Sequence, residues 1–550
     1  MIRPLFLAIS SGLLGLVAGA PSTADWAQKS VYQIMTDRFA RTDGSTNAPC
    51  DLWHYCGGTW AGITKKLDYV QSMGFTAIQI SPVVQNIPNN TLYGDAYHGY
   101  WVQNLYALND HFGSADDLKN LISEVHNRGM YIMVDVVINN MAQAISGTLE
   151  DKPQPKIDYS KIIPFNDQKY YHPYCNITKW DDPENYQKCW FGVSQVALPD
   201  LDTESSTVST MTQDWAKQLL SNYSFDAVRI DAAKHVNDAY LSDFSKAVGV
   251  LSLGEIFSGD SNYVCRYLNS NLVTSFLNYP VYYGAMDAFI NTGDMARLAQ
   301  EINNVKSTCK DFAPLITFME NQDLPRVASQ SNDTAIAKNA MAVNLLSDGI
   351  PMVWEGQEQH LSGGSAPNNR GALWTTGYST SGALYNLTVS LNTLRNHAIG
   401  INNQYVANHS QQLYLDKSTY ATKKGPDGSQ IVAVFSNQGS QGGSYQLQLG
   451  GGFAPGTQVM EILGCTKTTA DNTGNITVQM GGGEPRVFFP ASSLDNSGLC
   501  GNSKKASTNP TDSSSTNSTN ATKNFAAHHC QMPLSALFVC TVFTTFSWLL

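Results

Sequence analysis

The chain has 550 residues, 42% of them apolar and 10% aromatic, and a formal charge of −11. That length suits two to four domains with sizeable cores, and that apolar share excludes a disordered chain. Lysine and arginine are scattered, so no basic stripe points to a nucleic acid.

The N-terminus reads Met1-Ile2-Arg3, then an apolar run from Pro4 to Val17, then Ala18-Gly19-Ala20. This pattern predicts a secretory signal peptide over 1–20; the run is short for a membrane-spanning anchor, the other reading. Ten cysteines suit an oxidising compartment. Eight lie in the body of the chain: Cys50, Cys56, Cys175, Cys189, Cys265, Cys309, Cys465 and Cys500. Sequence alone leaves their connectivity open, and no CxxC spacing supports zinc. Glycosylation sequons stand at Asn89, Asn176, Asn222, Asn332, Asn386, Asn408, Asn475, Asn517 and Asn520.

Strand-like and helix-like stretches alternate from about Ser30 to Arg395. Strands are predicted at 31–35, 77–80, 131–137 and 227–230, and helices at 65–73, 115–128 and 211–221. Such alternation predicts an α/β fold with a parallel sheet, either doubly wound or closed into a barrel. Four strings decide between the two. Val134-Asp135-Val136-Val137-Ile138-Asn139-Asn140 comes first, followed by Phe225-Asp226-Ala227-Val228-Arg229-Ile230-Asp231. Leu253-Gly254-Glu255 and Phe318-Met319-Glu320-Asn321-Gln322-Asp323 come next. In the last three, an apolar run stops at an acid. Acids at the ends of several separate strands favour a closed (β/α)8 TIM barrel with its site at the strand C-termini.

The alternation breaks over 140–199, which is rich in Tyr, Pro, Asp and Asn; an irregular domain inserted after the third strand is expected there. The barrel then comprises 21–139 and 200–397. Over 398–500, short alternating runs with Gly and Asn turns predict an antiparallel β-sandwich. Residues 501–524 read as a flexible Ser/Thr-rich stalk. Residues 525–550 end in an apolar stretch, Pro533 to Leu550, with no charge after it. This is the pattern of a glycosylphosphatidylinositol attachment signal, with Asn520 or Asn524 as the attachment residue. A tail-anchored helix or a disordered end are the other readings. An anchored protein would sit on the outer plasma membrane or in the cell wall.

The four strings and their order resemble those of the α-amylase family of retaining glycoside hydrolases. Tyr93-Gly94-Asp95-Ala96-Tyr97-His98-Gly99-Tyr100-Trp101 and Ala197-Leu198-Pro199-Asp200-Leu201-Asp202 extend the resemblance over most of 26–500. The resemblance implies Asp231 as nucleophile, Glu255 as general acid and base, and Asp323 as the third acid. It implies His98, Tyr100, Trp101, Asn140, Arg229, Lys234, His235, Gln322 and Arg326 as substrate-binding residues. It further implies a structural Ca2+ held by Asn139, Asp200 and backbone carbonyls of Gln187 and His235, an all-oxygen cage that suits this hard cation. Sequential disulfides follow from it too: Cys50–Cys56, Cys175–Cys189, Cys265–Cys309 and Cys465–Cys500. The implied partner is an α-1,4-glucan or maltooligosaccharide, as donor and acceptor, bound by a monomer.

Two positions depart from the family pattern. Asn140 and Gln322 stand where histidines are usual; both are neutral donors that cannot become cationic. Together with the anchor signal they resemble a fungal group of cell-wall-associated 4-α-glucanotransferases. That expectation stands above two others, an α-amylase and a catalytically weak glucan-binding protein.

Overall fold

Eight parallel strands close into a ring, in a computed structural model that describes residues 19–88, 90–145, 155–191 and 196–503. They are β1 (Val31–Ile34), β2 (Ala77–Ile80), β3 (Tyr131–Val137), β4 (Ala227–Asp231), β5 (Leu251–Gly254), β6 (Ser275–Phe276), β7 (Ile316–Thr317) and β8 (Ile350–Trp354). Their lateral order is β6-β5-β4-β3-β2-β1-β8-β7. A parallel bridge from Leu277, directly after β6, to Ile316 of β7 closes the ring. The fold is therefore the closed barrel and not the doubly wound sheet. The strands are short and nearly continuously apolar because helices cover the sheet on its outer side.

Register sets up the barrel mouth. Asp135 of β3 lies opposite Arg229 of β4, and Arg229 opposite Leu253 of β5. Side chains alternate along a strand, so Arg229 and Asp231 share one face. Gln33 of β1 lies opposite Gln79 of β2 and Trp354 of β8.

The helices expected at 65–73, 115–128 and 211–221 are Trp60–Ser72, Ala115–Asn127 and Ser206–Tyr223. The first begins early because Thr59 caps it and Trp60 and Ile63 are fully buried. Ser114 and Asp117 form a capping box at the start of the second. An antiparallel pair, Val84–Asn86 with Val102–Leu108, was not expected from the sequence. Its connecting loop carries His98, Tyr100 and Trp101.

In the inserted segment, Gln143–Ala144 pairs antiparallel with Val196–Ala197, so its two ends lie side by side. The C-terminal part is an antiparallel six-stranded sheet from Gln411 to Pro490 facing the pair Tyr445–Leu449 and Ile476–Met480. Val432, Val434, Leu447, Val478 and Phe488 pack between them. All four disulfides are formed in the sequential pairing. The sequon at Asn89, most of the signal peptide, nearly all of the stalk, Asn517, Asn520, Asn524 and the C-terminal tail lie outside the described residues. Among the described residues, no helix is long and apolar enough to cross a membrane.

One ion cluster joins barrel to sandwich. Asp348, just before β8, lies 2.9 Å from Lys424 Nζ of the sandwich and 3.2 Å from Lys306 Nζ of the helix Met295–Thr308, and it accepts from Ser410 Oγ. Burial alone would raise its pKa; Lys424, Lys306 and Ser410 outweigh burial and hold the carboxyl well below its ordinary value. Stability from this group is therefore full above about pH 4, where the unfolded carboxyl titrates, and is lost as pH falls below it. Asp348→Ala strands two lysines and should cost about 3–5 kcal/mol. Calorimetry should show a lower Tm at pH 7, a smaller deficit near pH 3, and turnover unchanged, because Asp348 lies at the barrel end away from the strand C-termini.

Candidate active site

Arg229 is the hub of the barrel mouth. It is 1% exposed, with three carboxyls around it. Its Nη1 donates to Asp135 Oδ1 (2.9 Å) and to Asp231 Oδ1 (2.7 Å). Its Nη2 lies 2.9 Å from Glu255 Oε2, an ion pair in which the N–H is not aligned for a hydrogen bond. Glu255 Oε2 also accepts from the Ala232 N–H at 2.9 Å. Ala232 has φ of 48°, a left-handed turn immediately after Asp231 that directs this N–H towards Glu255. A non-glycine residue in that region carries strain, here at the end of a site-bearing strand. Asp323 follows β7 and pairs with Arg370 Nη2 at 3.1 Å.

The electrostatics favour one proton shared between two acids. Burial pushes Glu255 up to about 7, against the opposing charge of Arg229 and with help from Asp231 and Asp323. Burial likewise pushes Asp231 up to about 6, with Arg229 opposing and Asp135 adding to the rise. Asp231 accepts a hydrogen bond from Arg229 whereas Glu255 has only an ion pair with it, which favours the negative charge on Asp231 and the proton on Glu255. A proton donor and an ionised carboxylate side by side are what acid-assisted nucleophilic displacement requires.

His98 and Tyr100 stack at 5.7 Å. The Tyr100 N–H donates to His98 Nδ1, so the imidazole proton sits on Nε2. Burial, with Arg370 and Arg38 nearby, keeps His98 neutral. Tyr100 Oη donates to Asp135 Oδ2 at 2.7 Å. Trp101 is packed against Ile87, Ala142 and Val196 and meets His98 edge-on, so it supports the loop instead of offering a face to a ligand. Gln322 is 2% exposed, and both ends of its amide are engaged: Oε1 accepts from Gln33 Nε2 (2.7 Å) and Nε2 donates to Tyr100 Oη (3.0 Å). Asn140 is also buried and donates to the Met141 carbonyl at 3.3 Å.

On the other side of Asp231, Lys234 Nζ donates to the Trp180 carbonyl at 3.3 Å. His235 Nδ1 donates to the Tyr186 carbonyl at 2.9 Å, and burial pulls its pKa down to about 3. Gln187 Nε2 donates to the Val236 carbonyl at 3.0 Å, which lays the Gln187 and His235 segments side by side. Asn139 Oδ1 and Asp200 Oδ1 are buried without a hydrogen-bond partner. Asp200 Oδ2 accepts from His172 Nδ1 at 2.7 Å. Two orphaned buried oxygens are costly unless a cation or water meets them. Separately, His172, Asp202 and Glu204 lie close enough to share an ion.

Arg326 departs from its expected role. It is fully buried, pairs with Glu320 at 3.1 Å and donates to the Asn369 carbonyl, so it braces the segment after β7 without reaching the mouth. Sequence reading gave no role to Asp135, Arg370 or Gln33. Asp135 had a signal, a lone acid inside an apolar strand. Arg370 had none, because it ends the short 3-10 helix Asn368–Arg370, 47 residues from Asp323.

The family model for the α-amylase catalytic domain matches residues 33–412, and that for α-amylase domain C matches 412–508. Alpha-amylase 2 of Schwanniomyces occidentalis is 46% identical over 501 residues, covering 90% of this chain and 96% of that protein. The alpha-amylase of Saccharomycopsis fibuligera is 45% identical, covering 88% and 97%. Among solved structures, an alpha-amylase from Malbranchea cinnamomea superposes with a TM-score of 0.83 at 43% identity, covering 87% and 100%.

Arg229→Met leaves three crowded carboxyls without their cation. Stability at pH 7 should fall by about 3–5 kcal/mol, read as a lower Tm, and the loss should shrink at pH 4, where the acids are protonated. An equal loss at both pH values would mean that the guanidinium acts only by packing.

Proposed function

We propose that this chain, which belongs to the α-amylase family, cleaves α-1,4-glucan by a retaining displacement. In this reading Glu255 gives its proton to the glycosidic oxygen while an Asp231 oxygen bonds to the anomeric carbon and the C–O bond breaks. The incoming hydroxyl then returns its proton to Glu255 and displaces Asp231. Asp323, held by Arg370, grips hydroxyls of the sugar being cleaved. His98 offers its Nε2 proton and Tyr100 its ring on one side, and Lys234 and His235 face the leaving or accepting chain. The observation that carries the proposal is one guanidinium within 2.9 Å of both Asp231 and Glu255. It supports the short carboxyl separation and the split protonation that retention needs.

Water is the acceptor in the reading that the relatives support, since those at 45–46% identity over nearly the whole chain carry the name alpha-amylase. One observation favours a second reading, transfer to another glucan chain. Gln322 and Asn140 are buried and each amide nitrogen already donates within the protein, which leaves at most one N–H apiece to strengthen contacts as charge develops on the sugar. Slow resolution by water leaves more time for an acceptor chain.

Calcium fits between the inserted segment and the barrel. Asn139 Oδ1 and Asp200 Oδ1 would hold it, with the Gln187 and His235 carbonyls, and a divalent charge there would keep Asp200 ionised although burial raises its pKa to about 7. Its contribution would be to clamp the insertion, outside the reacting atoms. Secretion and lipid anchoring remain part of the proposal on the composition of both ends of the chain alone.

Incubation with maltoheptaose separates the two acceptors. Hydrolysis makes only shorter chains, with reducing ends rising in step; transfer makes longer and shorter chains with little new reducing sugar. Asp231→Asn should abolish both, and near-normal turnover in that variant would refute the assigned nucleophile. Chelation should lower Tm before it lowers initial rates; an unchanged Tm, with no metal found by elemental analysis of the untreated protein, would exclude the calcium site.

A further inference from the structure

We propose that Gln33, at the barrel end of β1, is a positioning residue that fixes the amide of Gln322 and, through it, the side chains that hold Arg229. The inference rests on the reading that Asp231 and Glu255 cleave the glucan. Three hydrogen bonds run in one direction across the barrel mouth to Asp135, and a fourth reaches Asp135 from Arg229 on the other side. Gln33 Nε2 donates to Gln322 Oε1 at 2.7 Å. Gln322 Nε2 donates to Tyr100 Oη at 3.0 Å, Tyr100 Oη donates to Asp135 Oδ2 at 2.7 Å, and Asp135 accepts from Arg229 Nη1.

The chain has only two self-consistent directions. With both amides turned over, Gln322 would donate to Gln33 and accept the Tyr100 proton, and Asp135 would lose its phenol donor. A side-chain nitrogen can only donate, so Gln33 with its nitrogen towards Gln322 selects the direction that serves Asp135. The pair is sealed from solvent: Gln33 is 4% and Gln322 2% exposed. Beneath them lies a cavity of about 10 Å3 lined by Gln33, Gln79, Ser81, Tyr100, Asp135 and Gln322. Gln33 Oε1 and, beside it, Gln79 Oε1 are buried without a hydrogen-bond partner, so the bond from Gln33 Nε2 to Gln322 is what orients the Gln33 amide.

The test is a double-mutant cycle on maltoheptaose turnover with Gln33→Met and Gln322→Met. Methionine keeps the length and removes the donor. Gln33→Met should lower kcat about tenfold with KM within about twofold, and in the Gln322→Met background the same change should lower kcat less than about twofold. Gln33→Glu, kept neutral by burial, still donates an O–H to Gln322 and should retain kcat within about threefold. Equal losses in both backgrounds, no loss in the parent protein, or a Gln33→Glu as impaired as Gln33→Met would each overturn the proposal. An active Asp231→Asn control would instead show that the underlying reading of the site is wrong.

Discussion

The barrel mouth depends on one buried cation with three carboxyls around it. Arg229 can be ionised in a near-anhydrous setting only because Asp135, Asp231 and Glu255 approach it together. That requirement explains several separate features. β3 and β4 must pair in the register that sets Asp135 against Arg229, and β5 must place Glu255 one strand further on. The strained turn at Ala232 gives Glu255 a second donor. Burial, with more negative groups than positive ones in the cluster, raises Glu255 to about 7 and Asp231 to about 6.

Much of this was legible in the sequence because Asp231 and Glu255 end apolar runs. A run that is uninterrupted and then stops at Asp or Glu marks both a covered strand and its exposed end. The insertion and the sandwich were equally readable, one from a break in alternation and the other from a change to period two. The unread parts are those whose partners come from far along the chain. The hairpin Val84–Asn86 with Val102–Leu108 has register shifts that blur its alternation. Arg326 and Arg370 look alike in sequence, yet Arg326 is spent on buried Glu320 while Arg370 reaches Asp323.

Asn140 and Gln322 bear on the choice of acceptor in the proposed reaction. Replacing histidine by a neutral amide removes a side chain able to become cationic. In this chain the amide of Gln322 is also tied on both sides, to Gln33 and to Tyr100. The mouth thus keeps its acids and its guanidinium while the donors around the sugar are turned inward. In the proposed reaction, the balance between water and a second chain as acceptor would turn on these inward-facing groups.

The central claim is that Arg229 holds Asp231 ready to form a bond to the sugar. Trapping tests it most directly: the Glu255→Gln variant is incubated with α-glucosyl fluoride, whose leaving group needs no proton, and digested for mass spectrometry. The account predicts one glucosyl unit on the peptide that contains Asp231. A glucosylated peptide elsewhere, or fluoride release with inversion at the anomeric carbon, would contradict it.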